Sequence, residues 1–124
     1  MAHVIIVGAG IGGMAAAYEL RDRLDSSHRI TVIGAANYFQ FVPSNPWVAV
    51  GWRKRADIEL DLGAIMAKKK IRFLTQGAER VDPAAKRVEL VGGAQVAYDY
   101  LVIATGPELA FDEIEGLGPD GHTE

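Results

Sequence analysis

The sequence predicts an α/β domain in which a parallel sheet with a crossover helix is followed by an antiparallel β-meander. Three observations predict it. Residues 3–7 are apolar and mostly β-branched, and they run directly into glycines and then a helical pattern. A second β-branched run, Ile30-Thr31-Val32-Ile33, follows at the distance expected for a βαβ unit of about 30 residues. Short β segments between residues 78 and 99 are separated by Asp82-Pro83 and Gly92-Gly93, which are turn dipeptides.

The first strand, His3-Val4-Ile5-Ile6-Val7, is apolar on both sides, as a parallel strand covered on both faces must be. Gly8, Gly10 and Gly13 then fall on the G-x-G-x-x-G spacing of a Rossmann-like dinucleotide-binding turn. The first glycine permits the tight turn, the second lets a pyrophosphate approach the backbone, and the third lets the helix pack close. Ala17 keeps the next helical turn slim. Free N–H groups and the positive dipole end at the helix start favour an anion there.

A first helix is expected over residues 12–24, with Met14, Ala17, Tyr18 and Leu24 inward and Glu19, Arg21, Asp22 and Arg23 in water. Residues 25–28 form a polar loop and 30–33 the second strand. About 20 residues past the glycines an acidic side chain normally takes the ribose hydroxyls. Gly34-Ala35-Ala36-Asn37 stands there instead, so ribose contacts fall to backbone groups, water or Asn37.

Residues 38–53 are apolar and aromatic, but Pro43 and Pro46 exclude a regular central strand or a continuous helix. A loop of this kind serves as buried packing or as a ligand wall, and packing is the reading for Trp47 and Trp52. Next come a short extended piece at 57–61, a helix at 62–70, a third strand at 71–75, and meander segments at 78–82, 86–91 and 95–99. Residues 98–104 return as a buried strand ending at Thr105-Gly106-Pro107, and the tail from Asp112 to Glu124 has the composition of a linker. No internal repeat occurs.

The chain has 124 residues, one domain's worth, with 49% hydrophobic and 23% charged residues, which argues for a folded core rather than disorder. A net charge of −3 implies no nucleic-acid partner. Lys68-Lys69-Lys70, the one basic run, is expected to complement a helix C-terminus in solvent. No apolar run approaches the ~20 residues that span a bilayer, and no signal-peptide pattern precedes the first strand. The expected location is therefore cytoplasmic, or peripheral to the inner membrane. Cysteine is absent, which excludes disulfides, thiolate metal sites and thiol redox chemistry within these residues. His3, His28 and His122 lack ligand spacing; they are expected at surfaces or strand ends, with no metal site.

The run Tyr98-Asp99-Tyr100-Leu101-Val102-Ile103-Ala104-Thr105-Gly106-Pro107, after a glycine motif and a meander, resembles the glutathione-reductase-like pyridine nucleotide and sulfide oxidoreductases. These are flavoproteins with two dinucleotide-binding domains. Tyr38-Phe39-Gln40-Phe41-Val42-Pro43-Ser44-Asn45-Pro46-Trp47, followed by Val50-Gly51-Trp52-Arg53, resembles the bacterial sulfide:quinone oxidoreductases among them, as does the segment from Gly106 to Phe111. The resemblance covers essentially the whole chain. Flavocytochrome c sulfide dehydrogenases attach their flavin to a cysteine near position 42, where this chain has Val42, so a noncovalent flavin is implied.

The resemblance implies an FAD site. Gly8, Ala9, Gly10, Ile11, Gly12 and Gly13 would cradle the pyrophosphate, and Gly34 and Ala35 would lie along the adenosine ribose. The Ala78 backbone would sit near the adenine, Val42 and Pro43 beside the isoalloxazine, and Thr105 and Gly106 near the flavin's linker. Family members oxidise sulfide with cysteines beside the flavin and pass electrons to a membrane quinone; those cysteines lie beyond the Ala-Thr-Gly turn. Residues 1–111 are thus expected to be the N-terminal part of an incomplete FAD domain, with 112–124 a linker toward a second nucleotide-binding domain. Such a piece would hold no catalytic residue and turn over no sulfide. Membrane contact would come from a C-terminal region outside it, and its open sheet edges would favour self-association. A fragment of a type II NADH:quinone oxidoreductase and a non-catalytic nucleotide-binding module are the alternatives.

Overall fold

The computed structural model describes residues 1–119. Its centre is a parallel sheet built from β1 (His3–Val7), β2 (Arg29–Ile33), β5 (Arg72–Leu74) and β9 (Tyr100–Ile103), in the order β5-β2-β1-β9. Each face of the sheet is covered by a different layer, which explains why β1 is buried at every position and apolar at all but His3. Ile6 joins Ile30 and Val32 against α1 (Ile11–Arg23) and α3 (Leu62–Lys68), through Ala17, Leu62 and Met66. Ile5 and Val7 point the other way, onto Val88 and Leu90 of the antiparallel meander β6 (Ala78–Asp82), β7 (Arg87–Leu90) and β8 (Gln95–Ala97). Strand alternation therefore feeds two separate apolar clusters from one sequence run.

The helix boundaries are set by backbone geometry. Gly10 is extended (φ −83°, ψ −162°) and so is Leu24 (φ −93°, ψ 139°), so α1 begins and ends one residue earlier than the expected 12–24. Past its last turn the Arg21 guanidinium donates to the Leu24 and His28 carbonyls, each at 3.1 Å, and to the Asp25 carbonyl. One planar fork thus closes the connection to β2. Arg21→Ala should lower stability by about 1–2 kcal/mol. Arg21→Lys should not restore it, because a single ammonium cannot reproduce the fork; urea midpoints of the two variants check both statements.

α3 stops at Lys68, short of the expected residue 70. Lys70 adopts a left-handed conformation (φ 55°), and the Ile71 N–H donates back to the Met66 carbonyl at 3.0 Å. This is the helix-ending geometry usually given to glycine. Lys69 pairs with Asp22 at 2.8 Å and lies 5.1 Å above the Tyr18 ring, joining α3 to α1.

The segment 38–53 contains more regular structure than expected. β3 (Tyr38–Gln40) pairs antiparallel with β4 (Glu59–Asp61) as a separate ribbon. Pro43 and Pro46 then sit at the first positions of a 3-10 turn (Val42–Ser44) and of α2 (Asn45–Ala49), where no N–H is needed. Residues 55–58 form a 3-10 turn, so only the latter part of the expected 57–61 extended piece is strand. Trp47 and Trp52 do not pack into a core. They are 39% and 74% exposed and stack on one another, with ring centres 5.1 Å apart.

His3 opens β1, the strand-end position expected of it, but it does not face solvent. It is only 6% exposed, with Nε2 2.8 Å from the buried Thr31 Oγ1. Pairing with a hydroxyl makes the burial tolerable. His28 accepts the Ala2 N–H at 3.0 Å, while His122 lies outside the described residues, as does the end of the expected linker. Burial, then the Arg29 and Arg72 charges, lower the His3 pKa from its ordinary 6.5, against the Ala97 carbonyl and Asp99. A lowered folded-state value means the unfolded chain takes up the proton first. The neutral ring's contribution is therefore complete above pH 6.5 and is lost as pH falls below it. Urea midpoints across that range should fall more steeply for the parent than for His3→Asn.

Candidate functional site

A cleft of about 560 Å³ opens beyond the carboxyl ends of the parallel strands. It lies where β1 is flanked by β2 on one side and β9 on the other, the crevice position at which open α/β sheets bind ligands. Main-chain hydrogen bonds knit its floor. Gly8 N–H donates to Ile33 O at 2.8 Å, Ala104 N–H to Val7 O at 2.8 Å, Gly34 N–H to Leu74 O at 2.9 Å, and Gly77 N–H to Gly34 O at 3.0 Å.

The three motif glycines play three different parts. Gly8 has φ 109°, and a Cβ on it would lie 2.1 Å from the Ala104 carbonyl oxygen. A Cβ on Gly13 would lie 1.9 Å from the Gly8 oxygen. Both positions are fixed by the fold. Gly10 is different, since nothing lies within 4 Å of the Cβ it lacks. The bare backbone at Gly10 therefore serves open space, as an approaching ligand requires.

At the start of α1 the N–H groups of Ile11, Gly12 and Gly13 donate to no protein acceptor among the described residues. The Met14 N–H is the first in the helix to find one, the Gly10 carbonyl at 2.9 Å. No side chain caps this end, and no acidic residue occupies the first turn. No Lys or Arg lines the cleft either. An anion there would be held by amides and the helix dipole alone.

Of the residues expected at the site, Gly8, Ala9, Gly10, Gly34, Ala35, Val42, Ala78 and Thr105 line this one cleft. Ile11, Gly12 and Gly13 stand behind the glycine turn as the first turn of α1. Pro43 and Gly106 are chain neighbours of Val42 and Thr105 and are not part of the wall, nor is Asn37. Position 34, where an acid is usual, is closely packed. A Cβ there would come within 3.1 Å of the Ala9 Cβ and 3.2 Å of the Phe73 ring. A side chain there would require Ala9 and the Phe73 ring to give by a few tenths of an ångström, so glycine eases the closure of the glycine turn and β5 over the end of β2.

Tyr38, Gln40, Gln76, Gly77 and Val91 also line the cleft and escaped sequence reasoning. Gly77 (φ 77°), placed just after β5, was the available signal. The β3 side is braced by polar contacts. Arg55 stacks 5.6 Å from the Tyr38 ring, Gln40 Nε2 donates to Asn45 Oδ1 at 2.8 Å, and Arg53 donates to the buried Ser44 hydroxyl at 2.6 Å. No group of three or more His, Cys, Asp or Glu side chains suited to a metal occurs among the described residues. No described helix is long and apolar enough to cross a membrane.

A family model described as pyridine nucleotide-disulphide oxidoreductase matches residues 2–124. The sulfide-quinone reductase of Aquifex aeolicus is 45% identical over 109 residues, covering 88% of this chain and 25% of that protein. The crystal structure of the sulfide:quinone oxidoreductase from Aquifex aeolicus superimposes with a TM-score of 0.86 at 44% identity, covering 90% of this chain and 26% of that one. A mitochondrial external alternative NAD(P)H-ubiquinone oxidoreductase of Arabidopsis thaliana is 30% identical over 131 residues, covering 96% of this chain and 22% of that protein. The chain thus spans about a quarter of the length of these relatives.

Proposed function

Because the chain belongs to the pyridine nucleotide-disulphide oxidoreductase family, we propose that residues 1–111 are the N-terminal part of the FAD-binding domain of a sulfide:quinone oxidoreductase. Residues 112–124 lead toward a second nucleotide-binding domain. The observation that carries this reading is the pairing of unengaged amides at the start of α1 with an open approach over Gly10. The 45% identity to the Aquifex aeolicus protein, spread over most of the chain, supports the sulfide and quinone assignment.

The amides of Ile11, Gly12 and Gly13 would bind the FAD diphosphate across the bare Gly10 backbone. Gly34 and Ala35 would border the ribose through backbone groups, and the Ala78 backbone would lie by the adenine. Val42 and Pro43 would flank the isoalloxazine side, and Thr105 and Gly106 would approach the linker. When bound, FAD supplies the two-electron redox chemistry, while these residues hold and orient it and keep water from its apolar surfaces. None of the 124 residues is a cysteine, so thiols that handle sulfide would have to come from outside them. On this reading these residues alone bind cofactor and do not turn over sulfide. Reduction of a membrane quinone would bring the protein to a membrane surface. The open outer edge of β9, where Tyr100 and Ile103 are each 65% exposed, favours self-association of the isolated chain, which size-exclusion chromatography reads directly.

Titration of FAD into the 124-residue chain should quench flavin fluorescence saturably. A folded chain that binds no FAD would overturn the cofactor reading. The likeness to an NAD(P)H-ubiquinone oxidoreductase favours a second reading, in which NADH is the electron donor. In a longer protein containing this segment, anaerobic bleaching of the flavin by sulfide supports the first reading, and bleaching by NADH alone the second.

A further inference from the structure

The opposite end of the sheet carries a second cavity, about 450 Å³, where β1 and β2 begin and where α1 and α3 end. Six of the chain's thirteen Lys and Arg residues line it, with no carboxylate in the wall, although the chain as a whole has a net charge of −3. Helix ends account for some of this charge. Arg21 is engaged with the carbonyls past α1, and Lys69 is paired with Asp22.

They do not account for Arg29 and Arg72, which stand on strands. His3 pairs with Arg29 and Thr31 with Arg72 in the parallel register, so the two arginines leave the same sheet face, two positions apart. Neither guanidinium has an ion pair or side-chain hydrogen bond among the described residues, and the same is true of the Lys68 and Lys70 ammonium groups at the rim. Beside the arginines lies the buried His3–Thr31 pair, which adds polar groups to a wall that also holds Leu24 and Ile30.

Four unpaired cations around one cavity repel one another, and an anion relieves that repulsion. We propose that this cavity binds a phosphate-class dianion, with Arg29 and Arg72 as its principal partners and Lys68 and Lys70 at its rim. Guanidinium forks on a rigid sheet suit the several acceptor oxygens of a phosphate. The same chemistry is offered by a soluble phosphate ester and by the headgroup of an anionic lipid. The site is separate from the glycine turn and does not depend on the flavin assignment.

Inorganic phosphate, titrated into the chain at low ionic strength and followed by the ring-proton NMR signals of His3 and His28, should bind saturably. The double variant Arg29→Gln/Arg72→Gln should weaken it by about tenfold or more, the loss expected from removing a charge-assisted contact. Arg80→Gln/Arg87→Gln, which removes equal charge from the meander, and Gly10→Val, which blocks the other cleft, should both leave it unchanged. Thermal transitions establish that each variant is folded. Flotation with phosphatidylcholine vesicles, with and without phosphatidylglycerol, separates the sources. Capture by the anionic vesicles that the strand-arginine variant loses assigns a lipid headgroup. Phosphate binding without such capture assigns a soluble ester. Equal loss in the meander variant, loss in Gly10→Val, or no binding by the parent of phosphate or of anionic vesicles would each overturn the proposal.

Discussion

Gly13→Ala is expected to destabilise the native fold severely. The added Cβ would sit 1.9 Å from the Gly8 oxygen and 2.8 Å from the Gly8 carbonyl carbon, both main-chain atoms. Neither can retreat. Gly8 is tied through its N–H to Ile33, and it already closes on the Ala104 carbonyl so tightly that its own Cβ would clash there. Relief would need α1 to lift off the sheet, separating Ala17 from the cluster that contains Ile6 and Val32. Overpacking usually costs about 1–3 kcal/mol and more when backbone meets backbone, so a loss of about 3 kcal/mol or greater is expected. That is a large share of the roughly 5–15 kcal/mol that holds a domain together. Gly12→Ala is the contrast: its Cβ would meet only the Ala104 Cβ at 3.9 Å, an ordinary contact, while alanine favours helix. Urea titrations followed by circular dichroism should separate the two. Equal midpoints would show that α1 does not approach the turn this closely.

Gly10→Val should do the reverse, sparing the fold and removing the cofactor. Position 10 is extended with φ −83°, which any residue adopts, and nothing stands within 4 Å of its Cβ. Losing glycine as the helix N-cap should cost no more than about 1 kcal/mol. A branched side chain would, however, occupy the space through which a diphosphate must reach the amides of α1. Losing two charge-assisted hydrogen bonds at roughly 1.5–3 kcal/mol each weakens FAD by about a hundredfold or more. Fluorescence titration measures that loss, and the thermal transition measures the retained fold. Unchanged FAD affinity would move the cradle elsewhere.

Much of this arrangement is legible along the chain because its causes are local. Runs dominated by β-branched residues and covered on both faces declare themselves at residues 3–7 and 30–33, with His3 and Thr31 as their polar exceptions. Turn dipeptides mark the meander to within a residue or two of β6 and β7. The glycine spacing marks the turn from β1 into α1, and eight of the residues expected at the site line a single cleft.

The readings that failed involve partners distant in sequence. The burial of His3 at its strand end was not legible, because its partner, Thr31, comes to it only through the β1–β2 register. β3 was hidden because three residues have little propensity of their own until Glu59–Asp61 closes beside them. Trp47 and Trp52 read as core by composition, yet they cover each other, since neither the helix layer nor the meander extends over them.

By itself the sequence determined the α/β class, the order of the main-sheet and meander elements, and the turn at which a diphosphate is proposed to bind. Those follow from steric and burial rules acting over a few neighbouring residues. Only the tertiary structure decided which motif glycine faces open space, how closely position 34 is packed, and that strand arginines and helix-end lysines line one cavity at the far edge of the sheet. Each of these depends on the distance between groups far apart in the chain, and that distance exists only once the layers have packed.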